Sequence, residues 1–98
     1  MKRRITCVIS GRVQGVLYRS FTKDLAKGLG IKGEVQNLPD GTVKVEAEGE
    51  DEKLKQFQSK LQKGPMFSKV ANVTCADDGE LRNYTDFKIT YRSFFDRL

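Results

Sequence analysis

Histidine and tryptophan are both absent from this sequence of 98 residues. A chain without histidine cannot use phosphohistidine chemistry or the Ser-His-Asp and Cys-His catalytic triads, and it lacks the commonest metal ligand of proteins. Much of hydrolytic and metal-dependent enzymology is therefore excluded.

Long apolar runs are also missing. Stretches such as 7–9 (Cys-Val-Ile) extend over only a few residues, whereas a membrane span needs roughly 18 or more. The start of the sequence, Met-Lys-Arg-Arg, is not followed by the apolar region of about 7–15 residues that a secretory signal requires. We therefore expect a cytoplasmic protein with no membrane partner.

Cysteine is scarce, with only Cys7 and Cys75 in the chain. The cytosol is reducing, and the two cysteines do not have metal-ligand spacing. The sequence thus predicts neither a disulfide nor a zinc site, and both cysteines are expected to be small core residues.

The residues that are present suit one small folded domain. Hydrophobic residues make up 38% of the chain and charged residues 32%, which is polar but enough to enclose a core. A second core would leave each half too short to fold unaided, so residues 1–98 are expected to form one domain. The net charge of +5 favours an anionic partner: nucleic acid, an acidic surface or a small phosphorylated molecule.

The first third of the chain has the pattern of a strand, a loop and a helix. Apolar and polar residues alternate over 5–10, which indicates a strand that runs into Gly11. After the loop at 11–15, leucine and phenylalanine recur every four residues, and the glycines at 28 and 30 provide a stop. The apolar face of this helix is predicted to contain Leu17, Phe21, Leu25 and Leu29.

The remaining segments predict a hairpin, a second helix and further strands. Residues 31–37 and 42–48 flank a Pro-Asp-Gly turn, which predicts a hairpin of two strands. In residues 51–63 the apolar side chains have helical spacing, acidic residues stand at the start, and Gly-Pro follows the end. A fourth strand is expected over 70–75, and the alternation of Phe87, Ile89 and Tyr91 indicates a possible final strand.

This order, β-α-β-β-α-β, predicts a ferredoxin-like α+β sandwich with two helices on one face of an antiparallel sheet. The core is expected over about 5–91, with a short C-terminal extension at 92–98. Right-handed crossovers make the first two strands parallel, with the third between them, so their carboxyl ends share one edge. The loop at 11–16, Arg19 and Asn37 should converge there.

Each of these residues has a functional and an ordinary interpretation. A glycine-bounded loop before a helix presents backbone N–H groups to an anion, although strand-to-helix turns often need glycine for conformation alone. Arg19 could fold back onto that anion, or it could be a surface arginine. Asn37 could hold a water, or it could simply favour the turn that follows it.

Two sequence blocks, SGRVQGVLYR at 10–19 and GEVQNLPDGTV at 33–43, resemble the two signature blocks of the acylphosphatase family. The similarity extends from about Ile5 to Tyr91. It departs from many relatives at Tyr18, where phenylalanine is usual, and at Glu34, where an aromatic residue is frequent.

The resemblance implies a hydrolase that splits the carboxyl-phosphate bond of acyl phosphates into a carboxylate and inorganic phosphate, without a metal or another cofactor. By position, Arg19 would bind the substrate phosphate and Asn37 would orient the attacking water. The phosphate cradle would be completed by the loop Gly11, Arg12, Val13, Gln14, Gly15 and Val16.

Other functions remain to be compared. An RNA-binding module has the same fold order, but the first and third predicted strands carry none of the aromatic residues on which bases stack, so no nucleic-acid partner is expected. A non-catalytic module that binds an anion or an acyl phosphate would use the same loop and Arg19. The expected partners are an acyl phosphate and inorganic phosphate or another anion, and the chain is expected to be a monomer.

Overall fold

The elements of the fold follow one another in the predicted order in this computed structural model, which describes residues 1–92. The helices begin and end within one or two residues of the expected positions, whereas the first, third and fourth strands extend beyond theirs. Except for Arg92, the predicted C-terminal extension at 92–98 lies outside the described residues. The elements are β1 (Lys2–Arg12), α1 (Tyr18–Gly28), β2 (Lys32–Asn37), β3 (Val43–Glu50), α2 (Asp51–Lys63), β4 (Lys69–Asp77) and β5 (Phe87–Thr90).

The five strands form one sheet in the order β4-β1-β3-β2-β5. β3 is antiparallel to both β1 and β2, so β1 and β2 are parallel to each other, as predicted. β5 is parallel to β2, and the sheet is therefore mixed rather than antiparallel throughout. The connection 78–86 explains the direction of β5, because it begins where β4 lies beside the start of β1 and ends with Phe87 beside Gly33, at the start of β2.

The core lies between this sheet and the two helices, which cover one of its faces. α1 lies over β2 and β5, and α2 lies over β3 and β4. α2 buries Leu54, Phe57 and Leu61, as its spacing predicts. With this arrangement, the predicted ferredoxin-like α+β class is confirmed.

α1 presents a different face to the core from the one expected. Its fully buried residues are Tyr18, Thr22 and Ala26, while Phe21, Leu25 and Leu29 are only partly buried beside them. Leu17, predicted to begin the apolar face, is 78% exposed. It precedes the helix in a left-handed conformation with φ of 64°, so its side chain does not follow the helical spacing.

Cys7 and Cys75 form a disulfide, and the expectation of two unpaired core cysteines is therefore wrong. The two residues face each other directly across the β1–β4 ladder. Strand pairing between residues 68 positions apart cannot be read from cysteine spacing, and the expectation rested on the compartment rather than on geometry.

The opposite face of the sheet holds a buried network of charges. Arg4 and Glu46 are 7% and 6% exposed, and their side chains form an ion pair with an Nη1–Oε1 distance of 3.3 Å. Arg4 also donates to Asp78, while the carboxylate of Glu48 accepts the backbone N–H of Tyr84 at 3.1 Å. These contacts fasten the connection 78–86 to the sheet.

Over residues 1–92, neither helix has the length and apolar character needed to cross a bilayer.

Candidate active site

The loop between β1 and α1 begins at a point where only glycine fits. The β1–β4 register shifts between Ser10 and Gly11, and Gly11 has φ of +118°. A Cβ atom there would lie 2.1 Å from the backbone oxygen of Lys69. The pairing of β1 with β4 continues for two residues beyond this irregularity, to Arg12, and the chain then enters the loop.

Two valines fasten the loop to the core while its glycine gives it shape. Val13 is 1% exposed, and Val16 packs partly against the core. Gly15 has φ of +73° with open space around the position of a Cβ, so conformation alone explains this glycine. The backbone from 12 to 17 is thus held at its apolar residues and exposed between them.

Arg19 lies in the first turn of α1, where its neighbour fixes the helix. Tyr18 is fully buried and its hydroxyl donates to the backbone oxygen of Leu61 at 2.6 Å, which links α1 to α2. Burial raises the pKa of the Tyr18 hydroxyl, so this hydroxyl stays protonated. The guanidinium of Arg19 stacks over the ring of Tyr91, 5.0 Å from its centroid.

Asn37 is the last residue of β2 and is 5% exposed. Its Oδ1 is buried and has no hydrogen-bond partner among the described residues. An unpaired buried carbonyl oxygen destabilises a fold by about 1–3 kcal/mol, and such atoms are rare enough in proteins to require an explanation.

The turn that follows Asn37 is stabilised by hydrogen bonds to Asp40. The hydroxyl and the backbone N–H of Thr42 both donate to the Asp40 carboxylate, and they hold the pKa of that carboxyl below its usual value.

Arg19 and Asn37 line one open depression of about 300 Å³ at the edge of the sheet. Val13 and Gly15 from the loop also line it, whereas Gly11, Arg12, Gln14 and Val16 do not. The parallel direction of β5 brings in a further wall. The depression is also lined by five residues that were not among the predicted site residues: Leu17, Tyr18, Ser20, Ile89 and Tyr91.

Comparison with known proteins gives consistent matches over most of the chain. The family model described as acylphosphatase matches residues 5–89. An acylphosphatase of Archaeoglobus fulgidus is 45% identical over 83 residues, covering 85% of this chain and 92% of that protein. One from Nitratidesulfovibrio vulgaris is 51% identical over 78 residues, covering 80% of this chain and 77% of that protein.

A solved structure agrees with these sequence matches. The crystal structure of acylphosphatase from Bacillus subtilis superposes with a TM-score of 0.89 at 33% identity, and the match covers 93% of this chain and 100% of that one. The chain belongs to the acylphosphatase family. The predicted family, its function as an acylphosphatase and the enzyme class, a hydrolase acting on acyl phosphates, are thus confirmed.

The depression of this acylphosphatase offers one fixed positive charge and one carboxamide. Arg19 supplies the charge through a planar guanidinium that carries several N–H donors. Asn37 supplies a donor and an acceptor that do not titrate. Among residues 1–92, no cluster of histidine, cysteine, aspartate or glutamate has the arrangement of a metal site. The site can therefore hold an anion and orient a small polar molecule beside it.

The wall formed by Ile89 and Tyr91 was the part that sequence reasoning missed. The alternation of these residues was visible, but their place beside Asn37 depends on the parallel pairing of Ile89 with Val35. Tyr18, one of the two departures from the family pattern, gains the hydrogen bond to Leu61. Glu34, the other departure, lies on the opposite face near Glu46, away from the depression, where burial and the neighbouring carboxylate raise its pKa.

Proposed function

We propose that this chain hydrolyses acyl phosphates in the depression between the loop, α1 and β2. Water attacks phosphorus, the phosphorus–oxygen bond to the carboxylate breaks, and the products are a carboxylate and inorganic phosphate. The observation that carries this proposal is the buried, unpartnered Oδ1 of Asn37 beside Arg19 in one open depression.

Arg19 holds the phosphoryl group in this proposal. Phosphoryl transfer depends on charge stabilisation and in-line positioning, and the planar guanidinium can donate two hydrogen bonds to phosphate oxygens. The stacking on Tyr91 restricts the guanidinium before substrate arrives. Within the loop from Gly11 to Val16, Val13 and Gly15 line the depression, and this part of the loop supplies backbone N–H groups to the same oxygens.

Asn37 positions the attacking water. The enclosed Oδ1 accepts a hydrogen bond from that water and so recovers the free energy that an unpaired acceptor costs. No histidine is available as a base, and we propose that the substrate phosphate accepts the proton of the water. Because a carboxylate is a good leaving group, the reaction proceeds without a metal or another cofactor.

The test is hydrolysis of benzoyl phosphate with a chelator present, by the wild type, Asn37→Ala and Gln36→Ala. Gln36 is the matched control, because it precedes Asn37 on β2 and its side chain points to the opposite face of the sheet. We expect kcat to fall by about 10²-fold or more in Asn37→Ala, by analogy with the loss of one preorganised hydrogen-bonding group. The control should keep the wild-type kcat.

Two outcomes would contradict the proposal. If the folded wild type bound inorganic phosphate but produced no turnover above the uncatalysed rate, the chain would be a non-catalytic anion-binding module. If Asn37→Ala changed only KM, Asn37 would not position the water.

We also propose that residues 1–98 act as a single domain and as a monomer, with inorganic phosphate as product and competitive inhibitor, and with neither nucleic acid nor membrane as partner. Sedimentation and inhibition measurements test these statements. We propose the cytosol as the compartment. The Cys7–Cys75 disulfide, by contrast, is typical of an oxidising compartment. Alkylation of free thiols in intact cells distinguishes a reduced protein in the cytosol from a disulfide-bonded protein in an oxidising compartment.

A further inference from the structure

The side chain of Gln14 connects the loop to the hairpin between β2 and β3. Its Nε2 atom donates to the backbone oxygen of Leu38 and to that of Thr42, each at 2.8 Å. Gln14 itself does not line the depression, and its side chain is half-buried. Both of its N–H groups therefore bind backbone oxygens that lie 24 and 28 residues further along the chain.

The two acceptors belong to the turn that directly follows Asn37. The N–H of Leu38 donates to Thr42 at 2.9 Å, and the N–H of Gly41 donates to Leu38 at 3.2 Å. Because this turn is closed on itself, a bond to its carbonyl groups is also a bond to the end of β2. Gln14 thus fixes the loop relative to the segment that carries Asn37.

We propose that Gln14 is a positioning residue that sets the spacing between the phosphate-binding loop and Asn37. The inference rests on the proposed function and goes beyond it, because it assigns a role to a side chain that does not touch the substrate. In-line attack requires the water and the phosphoryl group to be aligned, and a misplacement of about 1 Å can cost about 10²-fold in rate.

The chemistry of the position needs two N–H donors on one uncharged atom. A terminal carboxamide provides them, whereas hydroxyl and thioether groups do not. A carboxylate would place two acceptors against two carbonyl oxygens. Only its protonated form could donate, and then only one hydrogen bond.

This difference gives a test with two variants. Gln14→Met keeps the length of the side chain and removes both donors at every pH. Gln14→Glu removes both donors when ionised and restores one when protonated. A glutamate that faces carbonyl oxygens in a half-buried site has a pKa above its usual value of about 4.3, so its protonation can be followed between about pH 7.5 and pH 5.

For benzoyl phosphate hydrolysis we expect Gln14→Met to lose at least about tenfold in kcat at every pH, relative to the wild type at the same pH. Gln14→Glu should match it at pH 7.5 and recover part of the loss at pH 5. The affinity for inorganic phosphate should fall by a smaller factor than kcat, because Arg19 is untouched and the alignment of the water matters only for the reaction. Two charged residues lie near the hydrogen bonds of Gln14. Arg12 is two residues away in the loop. Asp40 lies in the turn, and its carboxylate stays ionised in this pH range because the hydrogen bonds from Thr42 lower its pKa.

A second measurement does not depend on turnover. Backbone ¹⁵N relaxation of residues 12–17 should show a more mobile loop in Gln14→Met, and in Gln14→Glu at pH 7.5 but less so at pH 5. The inference is overturned if Gln14→Met, shown to be folded by circular dichroism, keeps the wild-type kcat. It is also overturned if the two variants lose activity equally at pH 5 and pH 7.5. If the wild type showed no turnover but the two variants showed this change in loop mobility, the proposed function would be rejected, while the role of Gln14 in fixing the loop would stand.

Discussion

Arg19 gains its importance from what surrounds it rather than from its charge. The chain has 18 lysines and arginines, and most of them are surface residues. Arg19 differs because the buried Tyr18 fixes the turn that carries it and because Tyr91 stacks against its guanidinium. A planar cation held in this way is suited to bind a tetrahedral anion at a fixed place.

Replacement of Arg19 should therefore affect binding as well as rate. A hydrogen bond to a charged group contributes about 1.5–3 kcal/mol, so Arg19→Ala should weaken phosphate binding by about 10- to 150-fold. Arg19→Lys should recover part of this loss, because it keeps the charge but not the planar pair of donors. Calorimetric titration with inorganic phosphate measures both.

Lys23 provides the control for this prediction, since it lies four residues further along α1 and outside the depression. Lys23→Ala should bind phosphate within about twofold of the wild type. An equal loss in Lys23→Ala and Arg19→Ala would show that general positive charge, rather than the placement of Arg19, attracts the anion.

At the scale of the element, the junction between β1 and the loop depends on glycine at two positions for different reasons. Gly11 has a positive φ and also lies against the backbone of Lys69 and Ala71, whereas Gly15 has a positive φ and open space. The first glycine allows β4 to pair past the irregularity in β1. The second allows the loop to turn toward α1.

The two glycines should accordingly respond differently to alanine. Gly15→Ala should cost about 1–2 kcal/mol of the free energy of unfolding, from the left-handed backbone alone. Gly11→Ala should cost clearly more, since β4 must also move away from the new Cβ. Urea unfolding of both variants measures the difference, and equal costs would mean that β4 moves without penalty.

Local patterns predicted the elements well but not how they face one another. The spacing at Leu54, Phe57 and Leu61 predicted both the span and the buried face of α2. The same reasoning placed Leu17 on the apolar face of α1, because spacing cannot show that Leu17 takes a left-handed conformation before the helix begins.

The convergence of Arg19 and Asn37 was predicted as far as it depends on the parallel pairing of the first two strands. Arg19 and Asn37 meet where crossover topology places them. Ile89 and Tyr91 were not predicted there, because the direction of β5 is decided by the connection 78–86 and its ties to Arg4 and Glu48. These ties join charged residues far apart in the chain, and alternation within one strand carries no information about them.

At the scale of the whole molecule, the Cys7–Cys75 disulfide joins the edge strand β4 to a central strand. The linked residues are 68 positions apart, and closure of a loop of that length reduces the entropy of the unfolded chain. In the chain-entropy account, such a crosslink contributes about 4 kcal/mol.

Reduction should therefore lower stability without changing the depression, which contains neither cysteine. We expect dithiothreitol to lower the Tm by more than about 10 °C, because each kcal/mol corresponds to about 4–8 °C in a domain of this size. Differential scanning calorimetry with and without the reductant measures it. Cys75→Ser should melt at the lower temperature and show no further change with the reductant.

The charged side chains on the other face of the sheet make the stability of the protein depend on pH. Burial raises the pKa of Glu34 above its ordinary value of 4.5, and a hydrogen bond and the charge of Glu46 add to this effect. A raised carboxyl pKa means that the folded state binds the proton more tightly. This contribution to stability is complete below about pH 4.5 and is lost as the pH rises through the pKa of the folded protein.

Glu34→Gln should consequently raise the Tm at pH 7, where the wild-type carboxylate is ionised next to Glu46. The gain should shrink as the pH falls toward 4, where the wild-type side chain is also neutral. Thermal melts of both proteins across this range measure the effect. A constant difference at all pH values would show that shape or packing, and not ionisation, separates glutamate from glutamine here.

The central place of β1 also affects how quickly the fold can form. This first strand pairs on one side with β3, where Cys7 faces Val45, and on the other side with β4, where it faces Cys75. Contacts between residues so far apart in sequence slow folding, since long loops must close before pairing is rewarded. During synthesis, β1 is complete after the first 12 residues, but the edge of β1 that faces β4 cannot be fully paired until residue 77 has left the ribosome.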